Sequence, residues 1–124
     1  MADLSIGEVA ERTGLSVHAL RFYERQGLLP FTVRRGSDGR RRYSEDDLGW
    51  MTVVLNLRAS GMPLAGIRRY AELVRAGSGN EAERLDLLRE QRERVATQLA
   101  DLNACMDLIT YKVKIYEDIV ATDH

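Results

Sequence analysis

The clearest pattern in the sequence lies in its last third, where apolar residues recur at alternating steps of three and four. The series is interrupted once, at Arg92. Its apolar members are Leu85, Leu88, Val95, Leu99, Leu102, Met106, Ile109, Val113, Tyr116 and Val120. A mean step of 3.5 residues is typical of a left-handed coiled coil, in which one stripe of each helix faces its partner. The spacing therefore predicts one long helix over residues 81–120.

Such a helix extends roughly 60 Å at 1.5 Å per residue, and the rest of the chain offers no helix of similar length to cover its stripe. One interpretation is a long helix within an intramolecular bundle. The other is a homodimer in which two of these helices pair, and we favour it because it covers the whole stripe. The predicted dimer contacts are Leu88, Val95, Leu99, Leu102, Met106, Ile109, Val113 and Tyr116.

Two short helices joined by a tight turn are predicted near the start of the chain. Ser5 and Glu8 have the spacing of a capping box, which opens the first helix. Gly14 ends that helix, as a residue that readily takes positive φ. Ser16 caps the second helix, which runs over residues 17–26. Two short helices with glycine in the turn indicate a helix-turn-helix.

The second helix combines apolar residues for packing, Leu20 and Phe22, with a polar face. That face consists of Ser16, His18, Arg21, Tyr23 and Arg25. Arginine and tyrosine on an exposed helix are suited to phosphates and base edges. The alternative is a solvated face with salt bridges to Glu11 and Glu24, and both interpretations fit this helix taken alone.

An arginine-rich hairpin follows at residues 31–43. Short strands are predicted at Thr32–Val33 and Arg41–Tyr43, with turn chemistry at Gly36–Gly39. The segment holds five arginines and one acidic residue. Planar guanidinium groups suit phosphate oxygens, so this hairpin beside a helix-turn-helix indicates a wing that meets a polyanion. A basic loop that only aids solubility is the alternative.

Two further helices precede the long one. Ser44 caps the third, Pro63 stands in the first turn of the fourth, and Gly77–Gly79 is a hinge. The predicted fold class is mainly α. It has a winged helix-turn-helix domain at 1–79 with a small β-hairpin wing, a coiled-coil dimerisation helix at 80–120 and a C-terminal tail at 121–124.

Composition and charge narrow the class of protein. The 124 residues are 44% hydrophobic and 30% charged, with a net charge of −1. Residues 1–79 hold twelve arginines and nine acids, whereas residues 80–124 hold six bases and ten acids. The basic part suits a polyanion and the acidic helix does not. No apolar run approaches a membrane span, and a single cysteine makes the cytoplasm the expected location.

No catalytic arrangement is evident, so we expect no enzyme and no cofactor. A lone Cys105, with His18 and His124 far from it in the sequence, builds no closed metal site within one chain. A metal site would require two copies of Cys105 that meet across a dimer axis. A thiol that senses oxidants or electrophiles is a second interpretation of Cys105. A small residue packed beside the coiled-coil stripe is the third.

Several motifs together resemble the MerR family of bacterial transcription regulators. They span residues 5–74 in the order and spacing of that family, and the long helix extends the resemblance to nearly the whole chain. The matching segments are 6–10 (IGEVA), 20–24 (LRFYE) with 27–29 (GLL), 39–43 (GRRRY), 47–48 (DL), 57–58 (LR) and 61–64 (GMPL) with Ile67. Arg40 departs from the pattern, because the family usually has an aromatic residue there.

The resemblance implies roles for individual residues. Arg21 and Tyr23 would meet DNA from the second helix, with Ser16 and His18 near the groove. In the wing, the DNA backbone would be held by Arg35, Arg41 and Tyr43, with Arg40 adding phosphate affinity. The family pairs its long helices antiparallel, binds a pseudo-palindrome in an over-long promoter spacer, and distorts that DNA until RNA polymerase reads both promoter elements. The implied location is the bacterial cytoplasm, at the nucleoid.

Two functions of different classes are therefore considered. The first is a sequence-specific transcription regulator that binds promoter DNA as a homodimer and distorts it. The second is a coiled-coil interaction protein whose basic domain binds anions without sequence preference. A bounded, two-fold footprint on promoter DNA distinguishes the first from the second.

Overall fold

The computed structural model describes residues 3–123, and within that range the chain forms five helices and one two-stranded sheet. In chain order these are α1 (Ile6–Thr13), α2 (Val17–Arg25), β1 (Arg34–Arg35), β2 (Arg41–Arg42), α3 (Glu45–Ala59), α4 (Leu64–Arg75) and α5 (Glu81–Thr122). The predicted fold class, a mainly helical chain with a winged helix-turn-helix and a long C-terminal helix, is confirmed.

Local capping chemistry sets the ends of the first helices. The main-chain N–H of Glu8 donates to Ser5 Oγ at 3.1 Å, and the N–H of Ser5 donates to Glu8 Oε1 at 3.0 Å, so the predicted capping box is present. Gly14 ends α1 with φ of 76°, which a residue without Cβ adopts at little cost. Ser44 forms a second reciprocal box with Asp47 at the start of α3.

The wing strands lie nearer the turn than the sequence predicted. β1 is Arg34–Arg35, and its residues pair antiparallel with Arg42 and Arg41 respectively. The prediction of a strand at Thr32–Val33 is therefore wrong. The main-chain N–H and C=O of Tyr43 both pair with Leu4, outside the hairpin. The turn itself lies where predicted, with the N–H of Gly36 donating to Arg40 O at 2.8 Å.

Two buried clusters share α3. One contains Val9, Leu20, Leu29, Tyr43 and Met51, and the other contains Leu28, Val54, Leu57, Met62, Ile67 and Tyr70. Each fully buried side chain of this size contributes about 1.5–3 kcal/mol relative to exposure. Because α3 supplies residues to both clusters, it fixes α1 and α2 on one side relative to α4 on the other.

Two compact units divide the chain, residues 1–88 and 89–124. The first turns of α5 belong to the first unit, where Leu87 and Leu88 pack against the cluster around Ile67. Arg69 of α4 pairs with Glu83 of α5, with Nε 2.6 Å from Oε2. The predicted tail at residues 121–124 is helical as far as Thr122, and His124 lies outside the described residues.

Candidate nucleic-acid interface

A surface groove of about 510 Å³ gathers most of the wing arginines beside α2. It lies among the start of α1, the middle of α2 and the wing. Its lining residues are Ser5, Ile6, Gly7, Arg21, Arg35, Gly39, Arg40, Arg41 and Arg42. Five guanidinium groups in one concave surface form a strongly positive site, which is suited to an anion.

Three wing arginines are paired with carboxylates. Arg34 donates twice to Asp3, at 3.1 and 3.2 Å, and Arg42 Nη2 lies 3.0 Å from Asp38 Oδ2. The Arg34 guanidinium holds the pKa of Asp3 below its usual value by hydrogen bonding. Arg41 Nε lies 2.6 Å from Glu24 Oε1, which ties the wing to α2. These pairs hold the hairpin in place beside the groove.

The other groove arginines keep their charge available. Within residues 3–123, Arg21, Arg35 and Arg40 form no ion pair with a carboxylate. Arg35 donates to the carbonyl oxygen of Gly39 at 2.9 Å, and this bond neutralises no charge. All three side chains are exposed, so the structure brings three of the predicted contact residues together around one positive surface.

Two neighbouring aromatic residues of α2 have exchanged their expected positions. Phe22, which the sequence suggested for packing, is 37% exposed. Tyr23 is half-buried instead and packs against both buried clusters. The exposed residues of the helix are His18, Arg21, Phe22 and Arg25. Their spacing of three and four places them on one face, which we call the reading face.

Ser16 and His18 lie at the start of α2. The hydroxyl of Ser16 accepts a hydrogen bond from the main-chain N–H of Ala19 at 3.0 Å, so this side chain caps the helix. His18 is exposed on the reading face, one turn before Phe22. Both residues therefore lie at the surface, as the sequence predicted, but the Ser16 hydroxyl is also used to hold the helix end.

Tyr43 lies in the core and not on the wing surface. Its side chain is 1% exposed, and its hydroxyl has no hydrogen-bond partner within the described part of the chain. Burial raises the pKa of Tyr43, and the Glu24 charge raises it further. This placement differs from the surface contact that the resemblance implied, because the Tyr43 side chain packs in the buried cluster with Val9, Leu20, Leu29 and Met51.

Two arginines of α4 hold the C-terminal end of α2, a feature that the sequence analysis missed. Arg68 Nε donates to the carbonyl oxygen of Gln26 at 2.8 Å. Arg75 donates to the carbonyl oxygens of Gly27 and Leu29, at 3.2 and 2.5 Å. These carbonyls have no partner within the helix, and cationic groups there also complement the helix dipole. Arginines on a neighbouring helix are common, so the sequence offers no specific signal for this role.

The predicted coiled-coil stripe is exposed in the single chain. Seven of its members are between 50% and 66% exposed, namely Leu99, Leu102, Met106, Ile109, Val113, Tyr116 and Val120. The last four turns carry an apolar groove of about 810 Å³. Val95 is half-buried, and Leu88 packs against the cluster around Ile67. A continuous apolar stripe of this extent is typical of an interaction surface.

Cys105 is exposed and forms no disulfide. Within residues 3–123, no group of three or more His, Cys, Asp or Glu side chains is arranged to hold a metal ion. The three interpretations of this thiol stay predictions. Over the same residues, no helix is both long and apolar enough to cross a membrane.

Comparison with known proteins identifies the family. The family model for MerR HTH family regulatory proteins matches residues 4–73, and the model described as MerR, DNA binding matches residues 48–110. An uncharacterized HTH-type transcriptional regulator of Haemophilus influenzae is 39% identical over 110 residues. That alignment covers 89% of this chain and 81% of the relative.

Solved structures agree with the sequence matches. HiNmlR, described as a MerR family regulator lacking the sensor domain and bound to promoter DNA, superimposes with a TM-score of 0.85 at 37% identity, covering 96% of this chain and 94% of that one. A MerR family regulator from Bacillus thuringiensis gives a TM-score of 0.79 at 28% identity, covering 90% of this chain and 96% of that one. Fold, positive groove and family matches agree, and the chain belongs to the MerR family of DNA-binding transcriptional regulators.

Proposed function

We propose that this protein binds a pseudo-palindromic promoter site as a homodimer and distorts the DNA to control transcription. The observation that carries the proposal is the positive groove, which lies directly beside the reading face of α2. Phosphate contacts position a protein on the duplex, and base-edge contacts carry sequence information. In this proposal the groove therefore supplies the phosphate contacts, and the reading face supplies the base-edge contacts to the same duplex.

The predicted contact residues have different roles in this proposal. Arg21, Arg35 and Arg40 contact phosphate oxygens, because their guanidinium groups have no carboxylate partner among the described residues. Ser16 and His18 border the major groove at the start of the reading face, and Tyr23 supports that face from its half-buried position against the core. Arg41 adds charge while holding the wing to Glu24. Tyr43 supports the wing from the core.

The exposed stripe of α5 supports the homodimer. A two-fold axis between paired helices matches a two-fold DNA site, because each half-site then meets one reading face. Bending or untwisting a duplex costs several kcal/mol, which contacts available only on distorted DNA offset. HiNmlR, a relative of similar length, was crystallised on promoter DNA. RNA polymerase is reached through the promoter and not through a direct contact, and the protein works at the bacterial nucleoid.

The proposal is tested by footprinting the purified protein on the DNA upstream of its own gene. We expect one bounded, two-fold site between the promoter elements, together with reduced gel mobility when that site lies at the centre of a fragment, as bent DNA shows. Diffuse protection along the whole fragment would instead support the second function, an anion-binding interaction protein.

Two matched variants test whether the footprint depends on the groove. Arg21→Ala should weaken the footprint, because it removes a guanidinium group from the groove lining. Arg58→Ala is the control, since Arg58 is an exposed arginine that does not line the groove. Equal loss of protection in both variants would show that binding follows total charge and not this site.

A further inference from the structure

Phe22 is an apolar residue in a place where the fold does not need one. Among residues 3–80, it is the one large apolar side chain that is exposed. It stands on the reading face between cationic neighbours, Arg21 and Arg25. Single exposed apolar residues are common on protein surfaces, but this one occupies the surface that the proposed function turns toward DNA.

We infer that Phe22 reads thymine, by packing its ring against the 5-methyl group at one position of each half-site. The inference rests on the proposed function and adds a residue that determines specificity. A phenyl ring has no hydrogen-bond donor or acceptor for base edges or phosphates. The thymine methyl is the apolar group that the major groove offers, and cytosine lacks it.

The surroundings of Phe22 hold the ring in a defined position. Its centroid lies 6.2 Å from that of Tyr23, with the two planes tilted by 51°. Tyr23 packs against both buried clusters, so the aromatic neighbour of the Phe22 ring is itself fixed by the core. Aromatic side chains also have few rotatable bonds, so an ordered contact costs little conformational entropy.

The reading face combines hydrogen-bond donors with one apolar ring. Arg21 and His18 carry donors for phosphates and for guanine or adenine edges. Phe22 lies one turn after His18 and one turn before Arg25, so a duplex held by the flanking side chains brings a base edge to the ring. Covering one methyl group is worth about 0.8 kcal/mol, which corresponds to about a fourfold change in affinity.

The test removes the methyl group from the DNA and the ring from the protein separately. Selection from a random duplex library defines the preferred sequence, and each thymine of a half-site is then replaced in turn by deoxyuridine. For the unaltered protein, we expect about fourfold weaker binding at one thymine position. Phe22→Ala should bind the unmodified duplex more weakly and respond to that replacement by less than about 1.5-fold, on the order of measurement error.

Phe22→Leu is the conservative variant, and it should keep part of the response because an apolar side chain remains. Since Phe22 is exposed, both variants should melt near the temperature of the unaltered protein. An undiminished response of Phe22→Ala to deoxyuridine overturns the inference, as does a site at which no thymine methyl matters, while both results leave the proposed function standing. Selection that yields no preferred sequence overturns both.

Discussion

At the residue scale, adjacent arginines of the wing have different roles. Arg41 is 2.6 Å from Glu24, and this pair joins the wing to the helix that carries the reading face. Arg40 is exposed and forms no ion pair within residues 3–123. In the sequence the two are identical neighbours, and only the alternation of side chains along β2 and its turn separates them.

We predict that Arg40→Ala weakens binding to all DNA sequences alike, because a phosphate contact carries no sequence information. The slope of log K against log salt should become shallower by about 0.9 for each phosphate that the variant no longer neutralises. The free energy of unfolding should change by less than about 0.5 kcal/mol, as for other exposed positions. A salt titration of binding and a urea titration of folding measure the two effects.

Arg41→Ala provides the comparison. Removing this side chain leaves Glu24 without its partner, so both binding and stability should fall, the latter by roughly 0.5–1 kcal/mol for a partly exposed ion pair. If Arg40→Ala keeps the full salt slope, Arg40 does not meet a phosphate and the assignment of the wing contacts is wrong.

At the element scale, features set by nearby residues could be predicted and features set by distant ones could not. The helix starts at Ser5, Ser16 and Ser44 follow from side chains within three residues. The bridge that pairs Tyr43 with Leu4 joins residues far apart in the sequence, and no local pattern carries that information. The sequence also could not predict which of Phe22 and Tyr23 is exposed, because so short a helix contains too few apolar positions to define its buried face.

The link between α4 and α5 should make stability depend on pH. Hydrogen bonds from Arg69 hold the pKa of Glu83 below its usual value. A carboxyl group with a lowered folded-state pKa stabilises the fold above its unfolded-state pKa, about 4.3, and this contribution is lost as pH falls through the folded-state value. Glu83→Gln should therefore melt at a lower temperature than the unaltered protein at about pH 7, with the difference closing below about pH 4.

Thermal melting followed by circular dichroism from about pH 3 to about pH 7 measures this difference. Glu90→Gln is the matched control, because Glu90 is exposed on the same helix and forms no ion pair within residues 3–123. A melting difference for Glu83→Gln that is the same at both ends of this range would show that the Arg69 pair does not stabilise the folded state.

At the scale of the whole molecule, the sequence predicted that the long helix needs a second chain to cover its apolar stripe. The stripe of α5 keeps its spacing over many turns, and in the single chain most of its residues remain exposed. Periodicity identifies such a surface because every turn repeats the same pattern. It carries no information on the direction of the partner helix, so the antiparallel pairing stays a prediction.

Leu102→Lys should convert the protein to monomers that lose specific DNA binding. The substitution would place an unpaired charge in the middle of the stripe, which costs several kcal/mol on burial. Thr97→Lys is the control, since Thr97 lies on the same helix away from the stripe. Light scattering gives the mass of each variant in solution, and a two-chain mass for Leu102→Lys would exclude this stripe as the dimer interface.

The hydrogen bonds from α4 to the C-terminal end of α2 have a consequence for how the reading face can change in evolution. Of the four hydrogen bonds from Arg68 and Arg75, three go to carbonyl oxygens that every amino acid possesses. Side chains of the reading face can therefore be exchanged by mutation without loosening the helix that carries them. If the reading face recognises DNA as proposed, gene duplicates of such a protein can change their target site by substitutions on this face, because what the helix recognises and how it is held are encoded at different positions.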